Sequence, residues 1–298
     1  KEIDLRVSIL PCVHGEKICL RLLDKSNLAN SLDELGLDPD SLKKLRYAIT
    51  QPHGLILVTG PTGSGKTTTL YSALQELNTP DVNITTVENP VEYQLMGINQ
   101  VEINEAVGMT FSAALRSILR QDPDIVLVGE TRDNETADIA VKAALTGHLV
   151  MTTLHTNDAP GAIARLSYMG IEPFLIASSL LLSQAQRLVR RICSNCKEVF
   201  ELTEEYIEAN ELPTEVFEGK EIYKGRGCSR CNNTGYKGRA SIMEVLLVSA
   251  TLRETILKTR NADDLREQAL KEGFRDLRTN GFYRVCEGIT TIEEVLRV

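Results

Sequence analysis

Residues Gly60-Pro61-Thr62-Gly63-Ser64-Gly65-Lys66-Thr67 have the form G-x-x-x-x-G-K-[ST], and no other stretch constrains the chain as much. The apolar run Leu55-Ile56-Leu57-Val58 precedes them and reads as a buried parallel strand; Thr67 to Leu77 follows as a helix. Strand, glycine-rich loop and helix is the context in which this motif wraps an anion, its backbone N–H groups turned in on phosphate oxygens. The phosphate-binding residues expected here are Gly60, Pro61, Thr62, Gly63, Ser64, Gly65, Lys66, Thr67 and Thr68. Lys66 is expected to reach the β- and γ-phosphates of ATP, and the Thr67 hydroxyl to ligate Mg²⁺.

Strands and helices alternate on either side of the loop. Strands are expected over 83–87, 124–128 and 149–153, with helices over 110–120, 135–145, 159–169 and 174–190. This alternation predicts an α/β fold with a mostly parallel sheet covered by helices on both faces. Before it, residues 1–24 read as two half-buried strands that end a preceding domain, 25–40 as a linker, and 41–49 as a helix. The core domain then runs over 41–298. It includes a small cysteine-bearing module at 192–239 and an amphipathic helical region at 250–298.

The balance of charge narrows the partners. A net charge of −8 disfavours a nucleic-acid surface, and the cluster Arg187, Arg190 and Arg191 lacks interleaved aromatics. A subunit contact or a helix-end charge is the preferred reading of those arginines. No apolar run approaches the roughly 20 residues that span a bilayer.

Three acidic or histidine-bearing strand ends accompany the loop. Asp124-Ile125-Val126-Leu127-Val128-Gly129-Glu130 is a Walker B pattern, an apolar strand ending in an acid. Glu130 is placed to orient or deprotonate an attacking water, or to hold Mg²⁺ through water. Glu88 and Glu92 flank Asn89-Pro90 at another strand end and are candidates to position Mg²⁺ or water. His155, just past the strand after Walker B, is placed to hydrogen-bond a γ-phosphate; His148 is a weaker candidate, since many histidines only satisfy backbone groups.

Seven cysteines, an odd number beside a phosphate loop, point to a reducing compartment and metal binding rather than disulfides. Cys193-x-x-Cys196 and Cys228-x-x-Cys231 make two knuckles, enough for a closed four-thiolate Zn²⁺ site. With no position left for water, that zinc is expected to be structural. Cys12, Cys19 and Cys286 show no such pairing and read as small core or strand residues.

Taken in order, four segments resemble the secretion ATPase family, the motors of type II secretion and type IV pilus assembly. They are the phosphate loop, the acidic box Thr86-Val87-Glu88-Asn89-Pro90-Val91-Glu92-Tyr93, the Walker B segment from Arg120 to Glu130, and the histidine box from Thr146 to Thr156. The resemblance implies a RecA-like core, a homo-hexameric ring and ATP held between the preceding domain and this one. It further implies Glu130 as the catalytic glutamate with Glu88 in support, and His155 as the γ-phosphate contact. Arg6 and Arg21 would be offered to ATP across a domain or subunit boundary. The tetracysteine module marks assembly and secretion members rather than retraction members. Implied partners are an inner-membrane platform protein and a cytoplasmic adaptor, with peripheral attachment to the inner face of the bacterial inner membrane. Two features depart from the family: Asn89 stands where aspartate is common, and Thr131 replaces isoleucine. A DNA-translocating or DNA-uptake ATPase is the runner-up, and a nucleotide-binding scaffold without turnover a third reading.

Overall fold

The computed structural model describes residues 4–23 and 31–298. β1 (Asp4–Cys12) and β2 (Gly15–Leu23) pair antiparallel in a sheet of their own. Their register sets Leu5, Val7 and Ile9 opposite Leu22, Leu20 and Ile18, all exposed, and pairs Arg6 with Arg21. Cys12 and Cys19 are therefore exposed strand residues, not core. The expected linker 25–40 lies partly outside the described residues. Its described part is packed rather than free: Leu32 is fully buried against the core. Asp38 caps α1 (Pro39–Ile49) by accepting the Ser41 N–H, with Pro39 in the first turn, where its missing donor costs nothing.

β3 (Gly54–Thr59) leads through the phosphate loop into α2 (Lys66–Leu77). β4 (Ile84–Glu88), β5 (Asn99–Glu102), α3 (Phe111–Ile118), β6 (Ile125–Val128), α4 (Asn134–Leu145), β7 (Leu149–Leu154), α5 (Ala159–Tyr168) and α6 (Pro173–Ser179) follow. The helix expected over 174–190 is a correction. α6 stops at Ser179, and Leu180–Ile192 is a 13-residue strand, β8. Leu, Gln, Ala and Arg are good helix formers, but here pairing on both sides overrides propensity. β8 lies between β3 and the later strand β11, reached through β9 (Lys197–Phe200), α7 (Glu204–Ala209), α8 (Thr214–Phe217) and β10 (Ile222–Gly225). β11 (Tyr236–Leu247) then returns along β8, and α9 (Ala250–Lys258), α10 (Ala262–Lys271), α11 (Leu277–Cys286) and α12 (Ile292–Arg297) close the chain.

Seven strands form the central sheet in the order β11–β8–β3–β7–β6–β4–β5. Every neighbouring pair is parallel except β11 with β8. Alternation along β3 decides where the core goes. Leu55 and Leu57 join the layer under α3 to α6, whereas Ile56 and Val58 face the layer holding α1 and α2. A strand that buries both faces must be apolar throughout, as Leu55–Val58 is. β9, β10 and the short helices α7 and α8 pack against α11 and α12 through Phe217, Ile222, Phe282 and Val295.

Candidate functional site

Parallel pairing aligns the carboxyl ends of β3, β4, β6 and β7, the edge at which open α/β sheets bind ligands. A cavity of about 460 Å³ opens there. Its lining draws on all four sequence segments: Thr62, Gly63, Gly65, Lys66, Thr67 and Thr68; Glu88, Asn89 and Glu92; Gly129 and Glu130; and His155. Gly60, Pro61 and Ser64 do not line it: Gly60 and Ser64 are buried and Pro61 is exposed. Pro90 and Tyr93 of the acidic box and Thr153 of β7 also line it, as do two side chains that the sequence reading did not single out, Leu188 and Arg239. Leu188 sits on β8, where the expectation of a helix hid it, and Arg239 sits on β11, within the segment expected to be the cysteine module. Arg6 does not line the cavity.

The loop is built for an anion. Gly60 and Gly65 hold φ of 144° and 92°, in the left-handed range that glycine tolerates. The Lys66 ammonium donates to Gly60 O at 2.8 Å and Pro61 O at 3.1 Å, folding back over the loop it follows. Burial lowers its pKa from the ordinary lysine value, opposed by the nearby Glu130 carboxylate.

Glu130 is largely buried; its Oε2 lies 2.8 Å from Arg132 Nε and 3.5 Å from His155 Nε2. His155 is held there by its neighbour. Thr156 N–H donates to Thr59 Oγ1 at 2.8 Å, and the Thr59 hydroxyl lies 2.9 Å from Leu154 O, so the turn after β7 is tied to the end of β3. Glu88 is almost fully buried and accepts from Tyr71 O–H at 2.5 Å, Thr86 Oγ1 at 2.6 Å and Gln100 Nε2 at 3.3 Å. Burial, then the Glu88 charge, raises the Tyr71 pKa. His148 closes α4 instead, its Nδ1 3.0 Å from Ala143 O, and lies outside the cavity lining. Thr131 has a local reason: its buried hydroxyl pairs with Thr152 Oγ1 at 2.7 Å on β7, a bond isoleucine cannot make.

The second cluster joins Cys193, Cys196, Cys228 and Cys231, whose sulfurs all lie within 4.8 Å of one another. Three of the Sγ···Sγ separations are 3.7, 3.9 and 3.9 Å. A tetrahedral zinc with bonds of about 2.3 Å requires about 3.8 Å between sulfurs. Backbone donors face the sulfurs, from Gly227 N–H to Cys196 Sγ at 3.3 Å and from Cys228 N–H to Cys231 Sγ at 3.2 Å. Asn195 donates to Cys228 Sγ and holds that thiol down to about 6. The donor set is compatible with zinc. Cys286 stays apart, partly buried, its thiol 3.4 Å from Val216 O.

A family model described as Type II/IV secretion system protein matches residues 1–297. The chain is 51% identical over 298 residues to the type IV pilus assembly ATPase PilB of Myxococcus xanthus, an alignment covering 99% of this chain and 52% of that protein. It is 49% identical over 303 residues to the type II secretion system ATPase E of Vibrio cholerae, covering 100% of this chain and 59% of the relative. It therefore spans little more than half the length of these two relatives. Among solved structures it resembles the pilus retraction motor PilT with bound ADP, with a TM-score of 0.72, 27% identity, and coverage of 98% of this chain and 73% of that one. Extent of match, fold and ordered motifs agree: the chain belongs to the Type II/IV secretion system protein family.

Proposed function

We propose that the chain is the ATP-hydrolysing part of a homo-hexameric motor that powers type IV pilus assembly or type II secretion. The observation that carries this reading is the meeting of Lys66, Thr67, Glu88, Glu130 and His155 around one cavity at the ends of four parallel strands. The phosphate loop and Lys66 bind the triphosphate. Thr67, supported by Glu88 and Glu92, would hold a magnesium ion, which when bound neutralises charge on the β- and γ-phosphates. Glu130 orients a water. Its Oε2 lies 2.8 Å from Arg132 Nε, so the water's proton passes to Oε1. The water oxygen bonds to the γ-phosphorus, the bond to the bridging β–γ oxygen breaks, and ADP leaves with the electron pair. His155 contacts the γ-phosphate and registers its departure. Arg6, which does not line this chain's own cavity, and Arg21, whose side chain lies outside the described residues, serve ATP across a domain or subunit boundary.

The tetracysteine cluster would hold a structural zinc, since four thiolates leave no open position. The partners that fit are an inner-membrane platform protein and a cytoplasmic adaptor, at the inner face of the membrane. No helix among the described residues is long and apolar enough to cross a membrane. Nucleic acid is not favoured, because the net charge is −8 and two of the three arginines before the cysteines are engaged internally. Arg187 donates to Gln186 O and Asn157 O, and Arg190 pairs with Glu294 at 2.8 Å.

The test is steady-state ATPase activity with nucleotide binding measured in parallel. Lys66→Ala should abolish both. Glu130→Gln should retain ATP and slow hydrolysis by about a thousandfold. Hydrolysis by Glu130→Gln at the parental rate would remove Glu130 from the mechanism.

A further inference from the structure

β8 outruns its neighbour. β3 pairs with β8 only as far as Thr59 against Ala185, after which the chain of β3 turns into the phosphate loop while β8 continues. The next residue of β8, Gln186, therefore lies directly behind the loop. It is about 1% exposed and does not line the cavity.

Its amide is bonded both to the loop and to the helix that follows it. Nε2 donates to Ser64 O at 2.8 Å, inside the loop. Oε1 accepts from Thr69 Oγ1 at 3.1 Å, on the first turns of α2. Gln184 Nε2, at 3.0 Å from the same oxygen, fixes which way the amide is turned. Gly60 and Gly65 make room for it: a Cβ on Gly60 would lie 2.5 Å from Gln186 O, and one on Gly65 would lie 3.1 Å from Gln186 Nε2. Two glycines of the motif thus admit this strand as well as a phosphate chain.

We propose that Gln186 is a positioning residue for nucleotide binding, setting the phosphate loop through the peptide between Ser64 and Gly65. In a planar trans peptide the C=O and N–H point in opposite directions. Holding Ser64 O toward β8 therefore holds the Gly65 N–H toward the cavity, where a phosphate oxygen accepts it. Without Gln186 the buried Ser64 carbonyl loses its donor, and the peptide has reason to rotate toward solvent. The bond to Thr69 ties the same amide to the helix that carries Lys66 and Thr67, so loop and helix start are set together.

This inference rests on the cavity being a nucleoside triphosphate site, and the experiment separates the two. Binding of a fluorescent ATP analogue and steady-state kinetics are measured on the full chain for the parent, Lys66→Ala, Gln186→Leu, Thr69→Val and the double variant. Gln186→Leu should weaken nucleotide binding and raise KM roughly tenfold with kcat within threefold. Thr69→Val should weaken binding less, and the double variant should bind no worse than Gln186→Leu alone, because both act through one amide. A merely structural glutamine would lower thermal stability and leave the dissociation constant below the melting temperature untouched. Parental affinity in folded Gln186→Leu overturns the proposal. If Gln186→Leu does not fold, Thr69→Val decides: weaker binding supports the proposal and parental affinity overturns it. Failure of the parent itself to bind the analogue removes the nucleotide site, and this inference with it. Parental binding lost in Lys66→Ala and retained in Gln186→Leu removes only the role of Gln186.

Discussion

Glu88 and Glu130 are both carboxylates at the ends of parallel strands, yet their surroundings differ. Glu130 faces the cavity with one oxygen held by Arg132 and His155. Glu88 lines the same cavity but is almost fully buried, with Tyr71, Thr86 and Gln100 supplying three donors. A buried carboxylate is tolerated only when its lone pairs are filled, and losing one donor leaves the charge under-satisfied. Tyr71→Phe keeps the ring and removes one donor, so it should cost about 2 kcal/mol of stability in urea denaturation. A loss within error of zero would mean that Glu88 does not depend on Tyr71. The glutamates themselves were legible in the sequence, as acids closing apolar strands. The donors to Glu88 were not, because Tyr71 and Gln100 lie 17 and 12 residues away on elements that meet only after folding.

At the level of elements, β11, α5 and α11 meet on one buried carboxylate. Glu244, on β11, accepts the N–H groups of Ala159 at 2.5 Å and Leu277 at 2.8 Å, the first residues of α5 and α11. Burial pushes its pKa up to about 7, against the pull of those two N–H groups; Asp158, Arg266 and Arg187 are the charged groups around it. The sign follows from the folded value lying above the unfolded one. Below about pH 4.3 both states hold the proton. As pH rises the unfolded chain releases it first, so stability falls between about 4.3 and about 7 and is flat beyond. The full loss is about 3 kcal/mol. Urea midpoints between pH 4.5 and 7.5 should therefore slope downward more in the parent than in Glu244→Gln; equal slopes would show that Glu244 is not the titrating group. β8 carries the main lesson at this scale. Its Leu, Gln and Arg content reads as helix, and nothing local contradicts that. Hydrogen-bonding partners about 125 residues before it and about 45 to 65 after it make it a strand.

Across the whole molecule, the cavity at the phosphate loop and the tetracysteine cluster share two strands. β8 supplies Leu188 to the cavity wall and runs on into Cys193; β11 begins after Cys231 and supplies Arg239. The clusters nevertheless belong to different cores, since none of the four cysteines packs in the two layers that sandwich the sheet. Purified reduced protein should therefore contain one zinc per chain. A strong chelator should expose residues 193–235 to protease while the sheet core keeps a cooperative thermal transition. Absence of zinc would end the metal assignment, and loss of the whole fold on chelation would end the separation of the two cores. By itself the sequence determined the phosphate loop, the acidic strand ends, the cysteine quartet and the mostly parallel α/β class, because each is a local pattern set by chain geometry within a few residues. Only the tertiary structure decided that Leu180–Ile192 is a strand, that it stands behind the loop, and that Glu88 spends its oxygens on Tyr71, Thr86 and Gln100 while Glu130 lies beside Arg132. Those outcomes depend on hydrogen bonds and burial between segments far apart in the chain, which no local window contains.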